Sequence, residues 1–182
     1  MESEAAFISQ LQDASGREAA FSELVTTYQE RLYWHIRRIV LVHEDADDVL
    51  QNTFIKVYRH IDGFQGDSKL YSWMYRIATN EALSFLKKQA KMKAISEESL
   101  QEHMLGKLKA DPYFDGDHAE MLLQQAIAGL PEKQRLVFNM KYYEELKYTE
   151  ISEILDTSVG ALKASYHLAA KKVEGYLKEI NA

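Results

Sequence analysis

The 182-residue sequence contains no cysteine, only two prolines and only eight glycines. Without cysteine the chain has no disulfides, thiolate metal sites or thiol catalysis, which fits a cytoplasmic protein. Scarce proline and glycine favour long helices with few tight turns. No apolar run approaches the roughly 20 residues that span a bilayer, and the start, "MESEAAFISQLQDASG", is too polar for a signal peptide. We therefore expect a helical, cytoplasmic protein without membrane insertion.

Charge is unevenly distributed along the chain. The net charge of −6 is a weak argument against a free-standing nucleic-acid binder. Residues 51–92 carry seven basic and three acidic side chains, whereas residues 1–50 have a net charge of −6 and residues 93–125 one of −4. One basic segment therefore lies between two acidic ones.

Apolar residues recur at helical spacing through the N-terminal half. The pattern predicts one helix over 17–41, a second over 43–61, and a third over 71–91 that follows the glycine-containing break "DGFQGDSKL". The core-like positions of the third helix are Trp73, Ile77, Ala82 and Leu86. Residues 1–92 are therefore predicted to form a helical domain.

The C-terminal half begins after a stretch that loses this regularity. Residues 93–118 are acidic and contain both glycine and proline, which predicts a linker with at most short helical pieces. Pro131 then opens a helix, and two further helices meet at a turn over 156–158 with Ser158 as N-cap. The predicted fold class is all-α: two small helical domains, 1–92 and 119–182, joined by the acidic linker 93–118, with a helix-turn-helix in the second.

The second helix, "HEDADDVLQNTFIKVYRHI", crowds acids and amides at its start. On a helical wheel its apolar residues share one face and its polar residues share the other. Three interpretations are open: a solvated face favoured by the helix dipole, a metal-binding carboxylate cluster, or a docking surface for a cationic partner. The polar face of this stretch includes Asp45, Asp48, Gln51 and Asn52.

Two stretches resemble conserved regions of a known family. "DADDVLQNTFIKVYRHIDGF" followed by "LYSWMYRIATNEALSFLKK" resembles region two of the bacterial RNA polymerase sigma factors, extracytoplasmic-function group. "LPEKQRLVFNMKYYEELKYTEISEILDTSVGALKASYHLAAKKV" resembles region four of the same group. Together they cover about 110 residues in the family's order and separation. The resemblance implies a subunit that gives RNA polymerase its promoter specificity.

For the acidic helix, the resemblance implies docking on a basic coiled coil of the polymerase's largest subunit. The implied contacts are Asp48, Gln51 and Asn52, and Asp45 joins them on the same face. The family often has Glu where Asn52 stands, so one negative charge is missing here.

For the third helix, interleaved aromatic and cationic residues suit single-stranded DNA, because rings stack on bases and cations meet phosphates. The alternative to DNA binding is that Trp73 packs in the core and that Lys87 and Lys88, at the end of the helix, are simply solvated. The resemblance implies binding of the non-template strand of the −10 element, with one base flipped into a pocket at the loop 64–69. The candidate residues are Phe64, Lys69, Trp73, Tyr75, Arg76, Asn80, Lys87 and Lys88.

For the last helix, the wheel buries Val159, Leu162, Tyr166, Ala169 and Val173. Such a helix pair is often plain packing, but the resemblance implies that this one reads the −35 element in the major groove. The candidate residues are Ser158, Lys163, Ala164, His167, Leu168 and Lys171. Several positions that are often Arg or Ser in the family are occupied here by Ala164, Ser165, Leu168 and Ala170. The helix therefore carries fewer cations, which predicts weak phosphate anchoring.

The predicted function is a sigma factor, not an enzyme, which binds core RNA polymerase and directs promoter-specific initiation without a cofactor or metal. Its expected partners are core RNA polymerase, promoter DNA and an anti-sigma factor. The alternative is a helix-turn-helix regulator with a helical sensor domain that binds duplex DNA without being a polymerase subunit. A metal-dependent helical enzyme would instead need metal binding at Asp45, Asp47 and Asp48.

Overall fold

A computed structural model describes residues 4–109 and 118–180. Every regular element in these ranges is helical, which confirms the all-α fold class. The helices are α1 (Glu4–Gln12), α2 (Arg17–Val40), α3 (His43–His60), α4 (Leu70–Lys93), α5 (Glu97–Lys109), α6 (His118–Ala128), α7 (Glu132–Tyr142), α8 (Tyr148–Leu155) and α9 (Val159–Ile180). A single 3₁₀ turn, Ile61–Gly63, follows α3 within the described residues.

Helices α2, α3 and α4 pack on one another and form the N-terminal core. Their apolar stripes meet there, as amphipathic periodicity requires, and leave the acids and amides of α3 on the outside. The fully buried side chains include Leu24, Leu32, Ile36, Val57 and Met74. The helix bounds predicted from periodicity are confirmed to within three residues at each end.

The core stripe of α4 differs from the predicted one. Of the four predicted core positions only Ala82 is fully buried, and the buried stripe also contains Leu70, Met74 and Ala78, four residues apart. Trp73 is half-buried because its ring packs on Phe64 in the loop before α4, with 5.1 Å between ring centroids.

Helix α1 was not predicted, and it fixes the loop before α4. Leu11 is completely buried. Gln12 Nε2 donates to the carbonyls of Ile61 and Phe64, each at 2.9 Å. Glu4 Oε1 accepts from the backbone N–H of Leu70 at 2.7 Å, and so satisfies a free donor at the start of α4.

Truncation of Leu11 tests whether α1 belongs to this core. Leu11→Ala should lower the free energy of unfolding by about 2–5 kcal/mol, the usual cost of a Leu-to-Ala cavity. Ile180→Ala is the matched control because Ile180 is exposed at the end of α9. Urea denaturation of both variants gives the comparison, and equal stabilities would show that α1 does not pack as described.

The predicted linker contains a helix of 13 residues. Helix α5 packs against α4 and buries Leu100. The expectation that the linker holds at most short helical pieces therefore needs correction. Apolar residues at helical spacing give this acidic segment a face that can be buried. Residues 110–117 of the linker lie outside the described residues.

Helices α6 to α9 form the C-terminal domain, in which α6, α7 and α8 all pack on α9. Phe138, Ala169 and Val173 lie in its core. The turn between α8 and α9 falls at the predicted place, and the backbone N–H of Ala161 donates to Ser158 Oγ at 3.3 Å. Ser158 is thus confirmed as the N-cap of α9.

Candidate functional site

The polar face of α3 lies at the surface as predicted. Asp48, Gln51 and Asn52 are exposed, whereas Asp45 is half-buried. Gln89 Nε2 of α4 donates to Asp45 Oδ1 at 3.4 Å. Burial raises the pKa of Asp45, and the nearby Lys107 and Lys93 oppose that shift.

This face borders a cleft of about 460 Å³ between α3, the end of α4 and α5. The cleft walls combine carboxylate, amide, ammonium and apolar groups, and Met92 stands 76 % exposed at the edge. The lining residues are Asp48, Gln51, Asn52, Phe85, Lys88, Gln89, Met92, Lys93 and Lys107. Sequence reasoning missed Phe85 and Met92, although an exposed methionine beside an acidic face is typical of adaptable binding surfaces.

The metal-enzyme interpretation gains no support. Within residues 4–109 and 118–180, no group of three or more His, Asp or Glu side chains could hold a metal ion. Asp47 Oδ2 instead lies 3.4 Å from His43 Nε2, four residues earlier on the same helix.

Among residues 4–109 and 118–180, no helix is long and apolar enough to cross a membrane.

The loop before α4 and the start of that helix form a second candidate surface. A cleft of about 290 Å³ lies between them, with Phe64, Trp73 and Arg76 in its walls. Gly66 adopts a left-handed φ of 78°, which glycine permits without strain and which lets the loop fold back. The other residues that line this cleft are Gly63, Gln65, Asp67, Ser68 and Glu153.

The structure divides the predicted −10 residues into three groups. Phe64, Trp73 and Arg76 meet at the loop cleft, and Lys69 is exposed beside it. Lys88 lines the α3 cleft instead. Asn80 and Lys87 are exposed on α4.

Tyr75 departs from its predicted placement. Its side chain is almost completely buried, and burial raises its pKa to about 12. The ring centroid lies 4.7 Å from that of His35 on α2. The predicted contact of Tyr75 with DNA therefore needs correction, since one position along α4 moves a side chain by about 100° from the surface into the core.

The exposed face of α9 carries the residues that the helical wheel placed there. Lys163, Ala164, His167 and Lys171 are exposed, and Leu168 is 50 % exposed despite its apolar side chain. Lys163 Nζ also lies 5.9 Å from the centre of the Tyr148 ring at the start of α8. The helix pair thus presents a mixed apolar and cationic face of the kind that can enter a major groove.

Comparison with known proteins assigns both halves of the chain to one family. Residues 24–92 match the model of Sigma-70 region 2, and residues 120–173 match that of Sigma-70, region 4. These matches favour the sigma-factor interpretation over the free-standing regulator.

Curated relatives match along nearly the whole chain. The ECF RNA polymerase sigma factor SigW of Bacillus subtilis is 31% identical over 173 residues, covering 91% of this chain and 92% of the relative. The ECF RNA polymerase sigma-E factor of Haemophilus influenzae is 31% identical over 175 residues, covering 91% of each.

The fold also matches solved structures. CnrH, solved in complex with the cytosolic domain of CnrY, superposes with a TM-score of 0.71 at 20% identity, over 98% of this chain and 99% of that one. The sigma factor RpoE of Bartonella quintana, solved with the anti-sigma factor NepR, gives 0.68 at 19% identity, over 87% and 96%. With region 2 preceding region 4 and relatives matched over 91% of its length, the chain belongs to the ECF sigma factors of RNA polymerase.

Proposed function

We propose that this sigma factor binds core RNA polymerase through the polar face of α3 and directs initiation at promoters that α4 and α9 select. The observation that carries the proposal is the pair of family matches, one for each domain, along a chain that an ECF sigma factor matches over 91% of its length. The chain itself performs no chemistry in this scheme, because phosphodiester synthesis belongs to the polymerase. It acts in the cytoplasm, where the polymerase is.

The docking surface proposed for polymerase consists of Asp45, Asp48, Gln51 and Asn52. Exposed carboxylates and amides on one helical face suit a basic partner, because charge-assisted hydrogen bonds are about twice as strong as neutral ones. The neighbouring Met92 adds apolar area. Asp45 contributes less than Asp48, since it is half-buried and already accepts from Gln89.

The −10 element is proposed to bind at the loop cleft. The half-buried ring of Trp73, which packs on the buried Phe64, offers aromatic surface next to the cations Lys69 and Arg76. A single-stranded nucleic acid needs these two ingredients, an aromatic platform and a cationic track. Asn80 and Lys87, further along the exposed side of α4, continue the track.

The −35 element is proposed to meet the exposed face of α9. Lys163 and Lys171 contact phosphates or guanine edges, and His167 donates to a base or phosphate. Ala164 and Leu168 pack on thymine methyl groups, as apolar side chains do in the major groove. The Bartonella neighbour was solved with an anti-sigma factor, and a protein of that kind completes the set of proposed partners.

Titration against core polymerase tests the proposal. The chain labelled at a single introduced cysteine, Glu23→Cys on the exposed side of α2, should bind core polymerase saturably and with one-to-one stoichiometry. Its affinity for duplex DNA alone should be weak, since the net charge is −6. Tight duplex binding without any binding to core polymerase would instead identify a free-standing regulator.

Removal of one α9 lysine should weaken promoter binding evenly across sequences. Lys171→Ala deletes a proposed phosphate contact, so the salt dependence of holoenzyme–promoter binding should fall by about one unit of slope without a change in base preference. Lys178→Ala is the matched control, because Lys178 pairs with Glu174 at the far end of the same helix. Equal slopes for the two variants would place Lys171 away from DNA.

A further inference from the structure

Helix α1 contacts the loop before α4 at both of its ends. Gln12, the last residue of α1, donates through its side-chain amide to the carbonyls of Ile61 and Phe64, each at 2.9 Å. Glu4, the first residue of α1, accepts from the backbone N–H of Leu70 at 2.7 Å. The loop is therefore held before and after its exposed part.

The orientation of the Gln12 amide follows from its partners. Both are carbonyl oxygens, which can only accept, so the NH₂ group must face them and both of its hydrogens are used. The Ile61 carbonyl also accepts from the Phe64 N–H at 3.1 Å, within the 3₁₀ turn. An acid at position 12 could make neither bond, because an ionised carboxylate has no proton to donate.

Arg17 joins the end of α1 to the same loop. Its Nε donates to the Leu11 carbonyl at 2.9 Å, and its Nη2 donates to the Gln12 carbonyl at 3.1 Å. The last carbonyls of a helix have no intrahelical partner, so these bonds satisfy them. The same Nη2 pairs with the Asp62 carboxylate, and the guanidinium lies 5.9 Å from the centre of the Tyr58 ring. Arg17 therefore fixes α1 and the loop relative to each other.

Attachment of α1 to the core does not require the contacts of its two end residues. The buried Leu11 and the half-buried Phe7 and Ile8 provide that attachment. Glu4 and Gln12 are the two ends of a nine-residue helix, about 12 Å apart along its axis. Because a helix is stiff over this length, α1 keeps the two ends of the loop at a fixed separation.

The part of the loop between the held ends faces the cleft proposed for the −10 element. Gln65 and Asp67 are exposed and line that cleft. Gly63 and Gly66 leave the loop backbone little stiffness of its own, since glycine is the least restricted residue. The shape of the loop therefore depends on the contacts at its ends.

The aromatic surface of the cleft depends on the same contacts. Gln12 holds the Phe64 backbone, and the Trp73 ring packs on the Phe64 ring. A shift of that backbone would move the ring that supports Trp73. Selective recognition of a base needs the surrounding groups to be fixed beforehand, because any freedom they have must be lost when DNA binds.

We propose that α1 is a positioning element for −10 recognition, in which Gln12 and Glu4 hold the two ends of the loop in the shape that selects a base. Neither residue contacts DNA itself. The inference rests on the proposed −10 site and assigns residues outside that site to its specificity. Loss of either contact relaxes the choice of −10 base and leaves the −35 preference and the affinity for core polymerase unchanged.

An isosteric change at Gln12 tests this role. Gln12→Glu removes both donors and places a carboxylate against two carbonyl oxygens. With core polymerase and a promoter library randomised in the −10 element, discrimination between bases at the most selective position should fall at least about fivefold, since one wrong base pair ordinarily costs roughly fivefold to over a hundredfold in affinity. Gln29→Glu makes the same change at an exposed position of α2 and should keep the parental discrimination.

A second pair of variants separates positioning from stability. Glu4→Gln keeps an oxygen that can accept from the Leu70 N–H and should keep most of the discrimination. Glu4→Ala removes the acceptor and should relax the choice of base as Gln12→Glu does. A loss of stability alone would lower the transcript yield without a change in the ratio between −10 sequences.

Amide exchange in the isolated full chain follows the contact itself. The Leu70 N–H should exchange with deuterium at least about tenfold faster in Glu4→Ala than in the parent, because a hydrogen bond to a charged group contributes roughly a factor of ten or more. Equal exchange rates, or equal discrimination in Gln12→Glu and Gln29→Glu, would overturn the inference. A parent chain with no −10 preference of its own would instead refute the proposed −10 site, and the positioning role with it.

Discussion

Asp48→Lys should abolish binding to core RNA polymerase while the helix content stays unchanged. The Asp48 carboxylate is exposed on α3 at the edge of the 460 Å³ cleft, so its replacement disturbs no core contact. Loss of a buried charge partner at an interface costs about 2–5 kcal/mol. That cost corresponds to a weakening of at least roughly thirtyfold, and lysine adds repulsion from a basic partner. A pull-down or fluorescence titration with core polymerase gives the measurement.

Two further variants make this result specific. Glu23→Lys introduces the same charge change on the exposed side of α2 and should bind as the parent does. Asn52→Glu should bind more tightly than the parent, because it restores a negative charge that the family often carries at this exposed position. Unchanged affinity of Asp48→Lys, or equal losses in Asp48→Lys and Glu23→Lys, would show that α3 does not dock on polymerase.

Leu168→Arg should change the preferred −35 sequence towards guanine. The Leu168 side chain is 50 % exposed on the face of α9 proposed for the major groove. An apolar side chain there favours a thymine methyl, whereas arginine pairs with guanine O6 and N7. A good bidentate pair discriminates by about 1–3 kcal/mol, so the selected base should change by roughly fivefold to over a hundredfold in frequency.

A randomised −35 library transcribed by core polymerase with each protein measures this preference. Ile180→Arg is the control, because Ile180 is also about half-exposed and lies near the end of the same helix. It should raise overall affinity slightly without a change in base preference. Identical preferences for Leu168→Arg and the parent would place this face of α9 outside the groove.

Helix faces were predictable because they depend on local periodicity alone. On α3, the period of 3.6 residues per turn places Val49 and Val57 inside. The same period places Asp48 and Gln51 at the surface. On α9 the same argument placed Leu168 at the surface. The Ser158 cap was also readable, since a serine before an apolar-periodic stretch satisfies free backbone donors at a helix start.

Contacts between distant segments were not predictable in this way. Burial of Tyr75 depends on His35, which is 40 positions earlier, and a mixed aromatic and cationic helix gives no sign of which ring turns inward. Helix α1 is only nine residues long, and the hydrogen-bond partners of its Glu4 and Gln12 are roughly 50 to 65 residues away. Lys69 Nζ before α4 lies 3.1 Å from Glu150 Oε1 of α8. This contact joins the two predicted domains, so charge patterning within each domain could not reveal it.

Run-off transcription tests the central claim most directly. Core polymerase is supplied with a promoter library in which the −10 and −35 elements are randomised, with the chain and without it. The account predicts discrete transcripts that require the chain, share one −35 and one −10 sequence, and disappear with Asp48→Lys. Transcripts that are identical with and without the chain would contradict it.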